Sequence, residues 1–259
     1  MRGARKVTDR GTLAPGATEL CRRAVAAVVA ARLVAWYIVF AAAELLAAEP
    51  PVTAAALTPD GQQVLVGSQR GLTRYGWPAL TELERWPSNL PQIHDLKFSP
   101  DGTRLLVAGG APGERGVVEL WQWPARRRQR TFAAHTDVVY RVAWSSTGNE
   151  WTAASGDGGC SVWSLDHDQP RARFTGHARP VLATIYVDER RVLTGGVDQA
   201  LRLWTTRDAR LERSLDQHQA AINQIAMAPA AAAESPQPPL VATVGEDRTV
   251  RLWQPQIGR

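Results

Sequence analysis

The side chains of this 259-residue chain that could carry out chemistry are five histidines, two cysteines and a scatter of carboxylates. A neutral imidazole is both a metal ligand and a proton carrier near neutral pH, so His94, His135, His167, His177 and His218 invite a catalytic or metal-binding reading. Asp166-His167-Asp168 could hold a cation, but it stands in a turn where charged residues are routine. Gly156-Asp157-Gly158-Gly159 offers backbone amides to a phosphate, yet no helix follows and no Lys-Ser/Thr completes a P-loop. Cys21 and Cys160 are too few for a disulfide framework or a metal cluster. There is no G-x-S-x-G, no C-x-x-C-H and no H-E-x-x-H. We therefore expect no catalytic residue, no metal site and no cofactor, and hence no enzyme.

The elements that must position these residues recur. Gly156–Trp163, Val197–Trp204 and Glu246–Trp253 are three versions of one eight-residue segment with an Asp six places before its closing Trp. Trp121, Trp163, Trp204 and Trp253 are spaced by 42, 41 and 49 residues. A period of this length marks one supersecondary unit copied along the chain, each copy needing its neighbours to bury its faces. Apolar runs open the units at Ala54–Leu57, Leu96–Phe98, Val138–Trp144, Val181–Val187 and Ile222–Met227. Thr58-Pro59-Asp60-Gly61, Ser99-Pro100-Asp101-Gly102 and Ser145–Gly148 then read as tight turns, with Pro presetting one position and Gly taking the positive-φ one. Further short runs follow, and the third in each unit ends at Tyr75, Trp121, Trp163, Trp204 or Trp253. Fourth runs follow in the first four units only, since six residues after Trp253 are too few for another. Both faces of Val250–Trp253 carry packing groups, as a sheet sandwiched between two others requires. The expectation is an all-β array with no helix in the body.

Residues 51–259 resemble the WD-repeat β-propeller family, specifically in units three to five and weakly in one and two. The resemblance implies about five four-stranded antiparallel blades, near 51–89, 90–133, 134–175, 176–216 and 217–259, the last incomplete. It also implies a structural network of His, Ser or Thr, Asp and Trp within a blade. Unit four supplies His177, Thr194, Asp198 and Trp204; unit five supplies His218, Thr243, Asp247 and Trp253 despite an insertion from Pro229 to Pro239. Unit three has His135, Asp157 and Trp163, with Ala153 where the hydroxyl belongs. Units one and two lack the His and the Asp. Such family rings most often hold seven blades, so this chain reads as a truncated copy, and an open end predicts self-association through an unpaired edge.

The net charge of +5 does not describe the folded body. Residues 1–32 hold seven basic side chains against Asp9 and Glu19, and residues 33–259 balance at 23 basic and 23 acidic. A neutral body offers no broad field for phosphates, so nucleic acid is not an expected partner. Arg126, Arg127, Arg128 and Arg130 form the densest basic patch, read as a solvated outer edge or a dock for an acidic partner. Basic residues, the apolar run Leu33–Ala43 and the small residues before Glu44 or Glu49 compose an export signal or an anchor within residues 1–50. This predicts a bacterial, periplasmic or secreted protein, touching a membrane only if the segment stays uncleaved. The expected function is a non-catalytic scaffold that binds other proteins through loops on one propeller face. Thr136, Asp137, Arg179, Pro180, Gln199 and Arg248 are the candidate contacts. The alternatives are ligand binding or catalysis at the central channel, and a sensory or regulatory module missing its partner domain.

Overall fold

In a computed structural model the described residues are 50–228 and 240–255. The apolar leader, Cys21 and the Pro229–Pro239 insertion lie outside them. Every regular element among the described residues is a strand, and the strands form five antiparallel sheets in strict sequence order. The first sheet holds β1 (Ala54–Leu57), β2 (Gln63–Ser68), β3 (Gly71–Gly76) and β4 (Thr81–Trp86). The second holds β5 (Ile93–Phe98), β6 (Arg104–Ala111), β7 (Arg115–Gln122) and β8 (Arg127–His135). The third holds β9 (Val139–Trp144), β10 (Glu150–Ser155), β11 (Gly159–Ser164) and β12 (Ala172–Thr175). The fourth holds β13 (Val181–Asp188), β14 (Arg191–Gly196), β15 (Leu201–Thr205) and β16 (Leu211–Leu215). The fifth has three strands, β17 (Ile222–Met227), β18 (Val241–Gly245) and β19 (Val250–Trp253).

The P-D-G turns form as their residue types require. Gly61 and Gly102 have φ of 68° and 69°, and their N–H groups close turns onto the carbonyls of Thr58 and Ser99 at 2.8 and 2.9 Å. Thr58 and Ser99 donate their hydroxyls to Asp60 and Asp101 within the same turns.

Successive sheets stack like propeller blades. Their first strands neighbour one another in the order β1, β5, β9, β13, β17, with no return contact of like extent from β17 to β1 among the described residues. Four apolar cores fill the four junctions. Leu65 and Leu72 meet Leu105 and Val107; Leu106 and Val118 meet Val142 and Trp151; Cys160 and Phe174 meet Tyr186 and Val192; Leu193 and Leu203 meet Ile225 and Val241. Leu105 and Val107 feed one core and Leu106 and Ala108 the next, because alternate side chains leave a strand on opposite faces. Each closing Trp packs toward the preceding blade: Trp121, Trp163, Trp204 and Trp253 sit in successive junctions. Trp151, which the period does not place, is fully buried and stacks on Trp163 with centroids 5.3 Å apart.

The opening strands depart from an apolar reading at two levels. Asp95 of β5 is buried and accepts the N–H of Val142 at 3.0 Å, with Arg141 at 3.3 Å, tying blade two to blade three. A one-residue register shift also occurs near the start of four opening strands, at His94, Tyr140, Leu182 and Asn223. A bulge inserts one extra residue and turns it out of the ladder. His94 and Tyr140, at equivalent bulges in adjacent blades, meet edge to face at 5.3 Å. His94 therefore packs on an aromatic ring.

Candidate functional site

Blade four shows how a loop becomes a rigid rim. The indole N–H of Trp204 donates to the Thr194 hydroxyl oxygen at 2.8 Å. Thr194 in turn donates to Nε2 of His177 at 2.7 Å, and Nδ1–H of His177 donates to Asp198 at 2.8 Å. This chain of donors and acceptors assigns the neutral imidazole with its proton on Nδ1. Asp198 also accepts the backbone N–H of Ala178 at 3.2 Å and pairs with Arg202 at 2.6 Å. The relay ties the loop before β13 to the turn between β14 and β15 and to the closing Trp. Blade five repeats it: Trp253 to Thr243 at 2.8 Å, Thr243 to His218 at 2.6 Å, His218 to Asp247 at 2.8 Å.

Blade three builds the same relay with a relocated hydroxyl. Ala153 occupies the second-strand place, as expected, but Ser161 stands directly across the ladder from it. Ser161 accepts the Trp163 indole N–H at 2.8 Å and meets Nε2 of His135 at 2.8 Å, while Nδ1 of His135 reaches Asp157 at 2.9 Å. The expectation that this blade lacks its hydroxyl is therefore corrected. The aligned positions of its neighbours explain why. Thr194 faces Arg202 and Thr243 faces Arg251 across the same rung, so either member of that cross-strand pair can put an oxygen under the Trp.

Blade two solves the problem with a carboxylate. The same rung pairs Val107 with Glu119, two residues before Trp121. Glu119 is fully buried and accepts the Trp121 indole N–H at 3.0 Å, the Ser88 hydroxyl at 3.0 Å, the Asn89 N–H at 3.3 Å and Arg128 at 2.7 Å. The lack of His and Asp in this unit does not leave the loop before β5 unpinned. Sequence reasoning missed Glu119 and Ser161, and one signal could have found them: a polar residue two places before the closing Trp wherever the second-strand hydroxyl is missing.

The electrostatics follow from burial and pairing. For His177, desolvation disfavours the imidazolium and lowers the pKa, although Asp198 opposes it. Burial works to raise Asp157 and Asp198, but hydrogen bonds from His135 and from His177 with Arg202, joined by backbone N–H groups, outweigh it and hold both below the usual carboxylate range. Asp247 is lowered likewise, by Thr249, Gln219 and His218 against its burial. Burial pushes the Cys160 thiol up to about 12, so it stays protonated as core filler.

Both ring nitrogens of His135, His177 and His218 are engaged in these relays. Asp168 pairs with Arg130, and no cluster of ligand-type side chains suited to a metal exists among the described residues.

The six candidate contact residues lie on the rim that the relays hold. Thr136 and Arg179 are exposed in the loops leading into blades three and four, and Gln199 and Arg248 are exposed in the turns of blades four and five. Gln199 and Arg248 have φ of 69° and 63°, the left-handed place that Gly158 fills in blade three with φ of 81°. Asp137 serves an internal purpose, since its carboxylate accepts the N–H groups of Gly113 at 2.8 Å and Val138 at 2.7 Å. Pro180 is half-buried, its carbonyl accepting the Val197 N–H at 2.9 Å.

Residues 126–164 and 209–254 match the model of the family described as WD domain, G-beta repeat. Relatives include telomerase protein component 1 of Rattus norvegicus, 30% identical over 62% of this chain and 6% of its own length. WD repeat-containing protein srw1 of Schizosaccharomyces pombe is 27% identical over 64% of this chain and 28% of its own. Human pre-mRNA-processing factor 17 is 23% identical over 67% of this chain and 29% of its own. Over these segments the chain is similar to WD-repeat proteins. The chain spans less than a third of the length of each of these relatives. Both matched WD-repeat segments run from the outer strand of one blade through the third strand of the next, β8 to β11 and β16 to β19. A WD repeat in sequence is thus offset by one strand from a blade in space, and each repeat covalently staples two neighbouring blades.

Proposed function

We propose that this WD-repeat protein is a non-catalytic scaffold that binds other proteins through the rim formed by the loops leading into each blade and the turns between second and third strands. One observation carries the reading: the relays engage His135, His177 and His218 with Asp157, Asp198 and Asp247 internally and leave Thr136, Arg179, Gln199 and Arg248 exposed on backbone they immobilise. Rigid backbone reduces the ordering cost of association, and exposed Arg and Gln supply directional hydrogen bonds. Arg179 and Arg248 make no side-chain hydrogen bond or ion pair among the described residues, so both guanidinium groups are available to a partner. Export remains part of this proposal and rests on the composition of residues 1–50; N-terminal sequencing of the mature chain should begin near Glu44 or Glu49.

Partners captured in parallel on the native chain and on Arg179→Glu/Arg248→Glu test the reading. A partner of this rim, once purified, should bind the double variant at least tenfold more weakly at an unchanged melting temperature. Equal affinity would remove these loops from the contact.

A further inference from the structure

The opposite end of blade two carries a feature that the rim does not explain. At that end the last rung of the sheet runs Arg104, Gln122, Arg127 across β6, β7 and β8. Directly opposed residues project from the same face, so two guanidinium groups stand two strands apart, about 10 Å, with an amide between them. The corresponding rungs elsewhere differ: Gln63, Gly76 and Thr81 in blade one, Glu150 and Ser164 in blade three, Arg191 and Thr205 in blade four. Glu150 is paired with Arg171 and Arg191 with Asp188, which leaves blade two alone with two basic groups on the rung and no acid.

A cavity of about 540 Å³ opens beside this rung, walled by Arg104, Arg127 and Arg130 over Leu120 and Leu165, and no carboxylate among the described residues lines it. The nearby carboxylates are already engaged. Glu119 is buried under Arg128, Asp168 pairs with Arg130, and Asp101 accepts from Ser99 and Thr103. Arg104 reaches Asp101 only at 3.8 Å, and Arg127 reaches only Gln122 at 3.4 Å. Both distances are too long for strong hydrogen bonds, so most of their donors are unused. β8 is also a sheet edge, and its nine residues exceed the four to six of the other outer strands. An edge strand presents a row of N–H and C=O groups to which an added strand can pair.

We propose that the β8 edge is a second docking surface, for an extended acidic peptide of a partner protein. The peptide would pair with β8 through its main chain, aim a carboxylate at Arg127 on the face that also carries Arg104, and rest an apolar residue two places along, on that same face, toward Leu120 and Leu165. This surface does not depend on the rim reading, because it lies at the opposite end of the blades.

Fluorescence anisotropy with the purified full chain tests it, using a labelled hexapeptide Glu-Thr-Val-Thr-Glu-Thr, whose Glu and Val share one strand face. Binding should weaken at least tenfold for Arg104→Gln/Arg127→Gln, and likewise when each Glu of the probe becomes Gln. It should also weaken when alternate peptide nitrogens are methylated, which removes main-chain donors. Arg213→Gln, on the outer strand of blade four, should bind as the native chain does. Arg127→Glu should gain affinity for the same probe with Lys in place of each Glu, a gain that misfolding would not produce. Equal binding of the Gln probe, or an unaffected double variant, would overturn the proposal. Tighter binding of single-stranded DNA or inorganic phosphate at the same residues would overturn its assignment to a peptide.

Discussion

Blades two and four fasten a leading loop to a closing Trp with different chemistry. In blade four the fastening is a relay of neutral hydrogen bonds ending at a carboxylate, in which each group satisfies the next. In blade two one fully buried carboxylate takes four donors at once, two of them from the loop itself. The relay distributes its polar groups over four residues; the carboxylate concentrates them on one, which pairs with Arg128. Blades two to five each place an oxygen beneath the closing Trp, and either strand of that rung and more than one residue type supplies it.

The largest effect should come from stranding that single charge. Arg128→Ala leaves Glu119 buried without its cation and should cost about 3 kcal/mol in chemical denaturation, reduced from the full burial penalty because Arg128 is itself one-third exposed. A cost below that of an ordinary surface Arg would mean that the other three donors suffice, and would erase the contrast with blade four.

Blade three sharpens the comparison, since its hydroxyl can be moved across the rung. Ser161→Ala should cost about 1–3 kcal/mol by leaving the Trp163 N–H and Nε2 of His135 without a partner. Adding Ala153→Ser should restore part of that loss, because position 153 holds the hydroxyl's place in blades four and five. Additive losses in the double variant would show that the two sides of the rung are not equivalent.

Acidification should separate the two chemistries next. Folded His177 has a lowered pKa, so the unfolded chain takes up its proton first as pH falls below about 6.5, and stability drops until the folded imidazole titrates too. Asp157 and Asp198 are also lowered, so their stabilisation is intact above about pH 4 and lost as pH falls further. Urea midpoints measured from pH 7 to 3 should therefore fall in two stages, and His177→Gln should flatten the upper one. A midpoint independent of pH between 5 and 7 would contradict the buried neutral imidazole.

The smallest effect belongs to the turns. Arg248→Gly relieves a left-handed non-glycine and should raise stability by under about 1 kcal/mol, bringing blade five to the pattern of Gly158 in blade three. A loss instead would assign Arg248 a contact that holds its turn.

Sequence reasoning reached most of the fold because period and turn chemistry are local. Pro-Asp-Gly selects its own turn, and an apolar run of strand length needs no distant partner to be recognised, so the opening strands Ala54–Leu57 and Ile222–Met227 match their expected bounds. The clamps of blades four and five could be read for the same reason, as His, Thr, Asp and Trp recur at fixed places. Ser161 and Glu119 were missed, because their role depends on which residue faces them across a ladder, and only their place two residues before the closing Trp hints at it. That register is set by backbone pairing and by the bulges, not by spacing along one strand.

The repeated Trp, the glycine turns and the alternating apolar faces were enough to dictate a row of antiparallel sheets, since each is a short-range preference multiplied by repetition. Cross-strand register and blade-to-blade packing then chose the partners of each buried polar group, sinking Glu119 beneath Trp121, turning His94 onto Tyr140 and setting Arg104 and Arg127 on either side of Gln122 beside an open cavity. Such outcomes depend on the distance between atoms far apart in the chain, a quantity that exists only once the blades have packed.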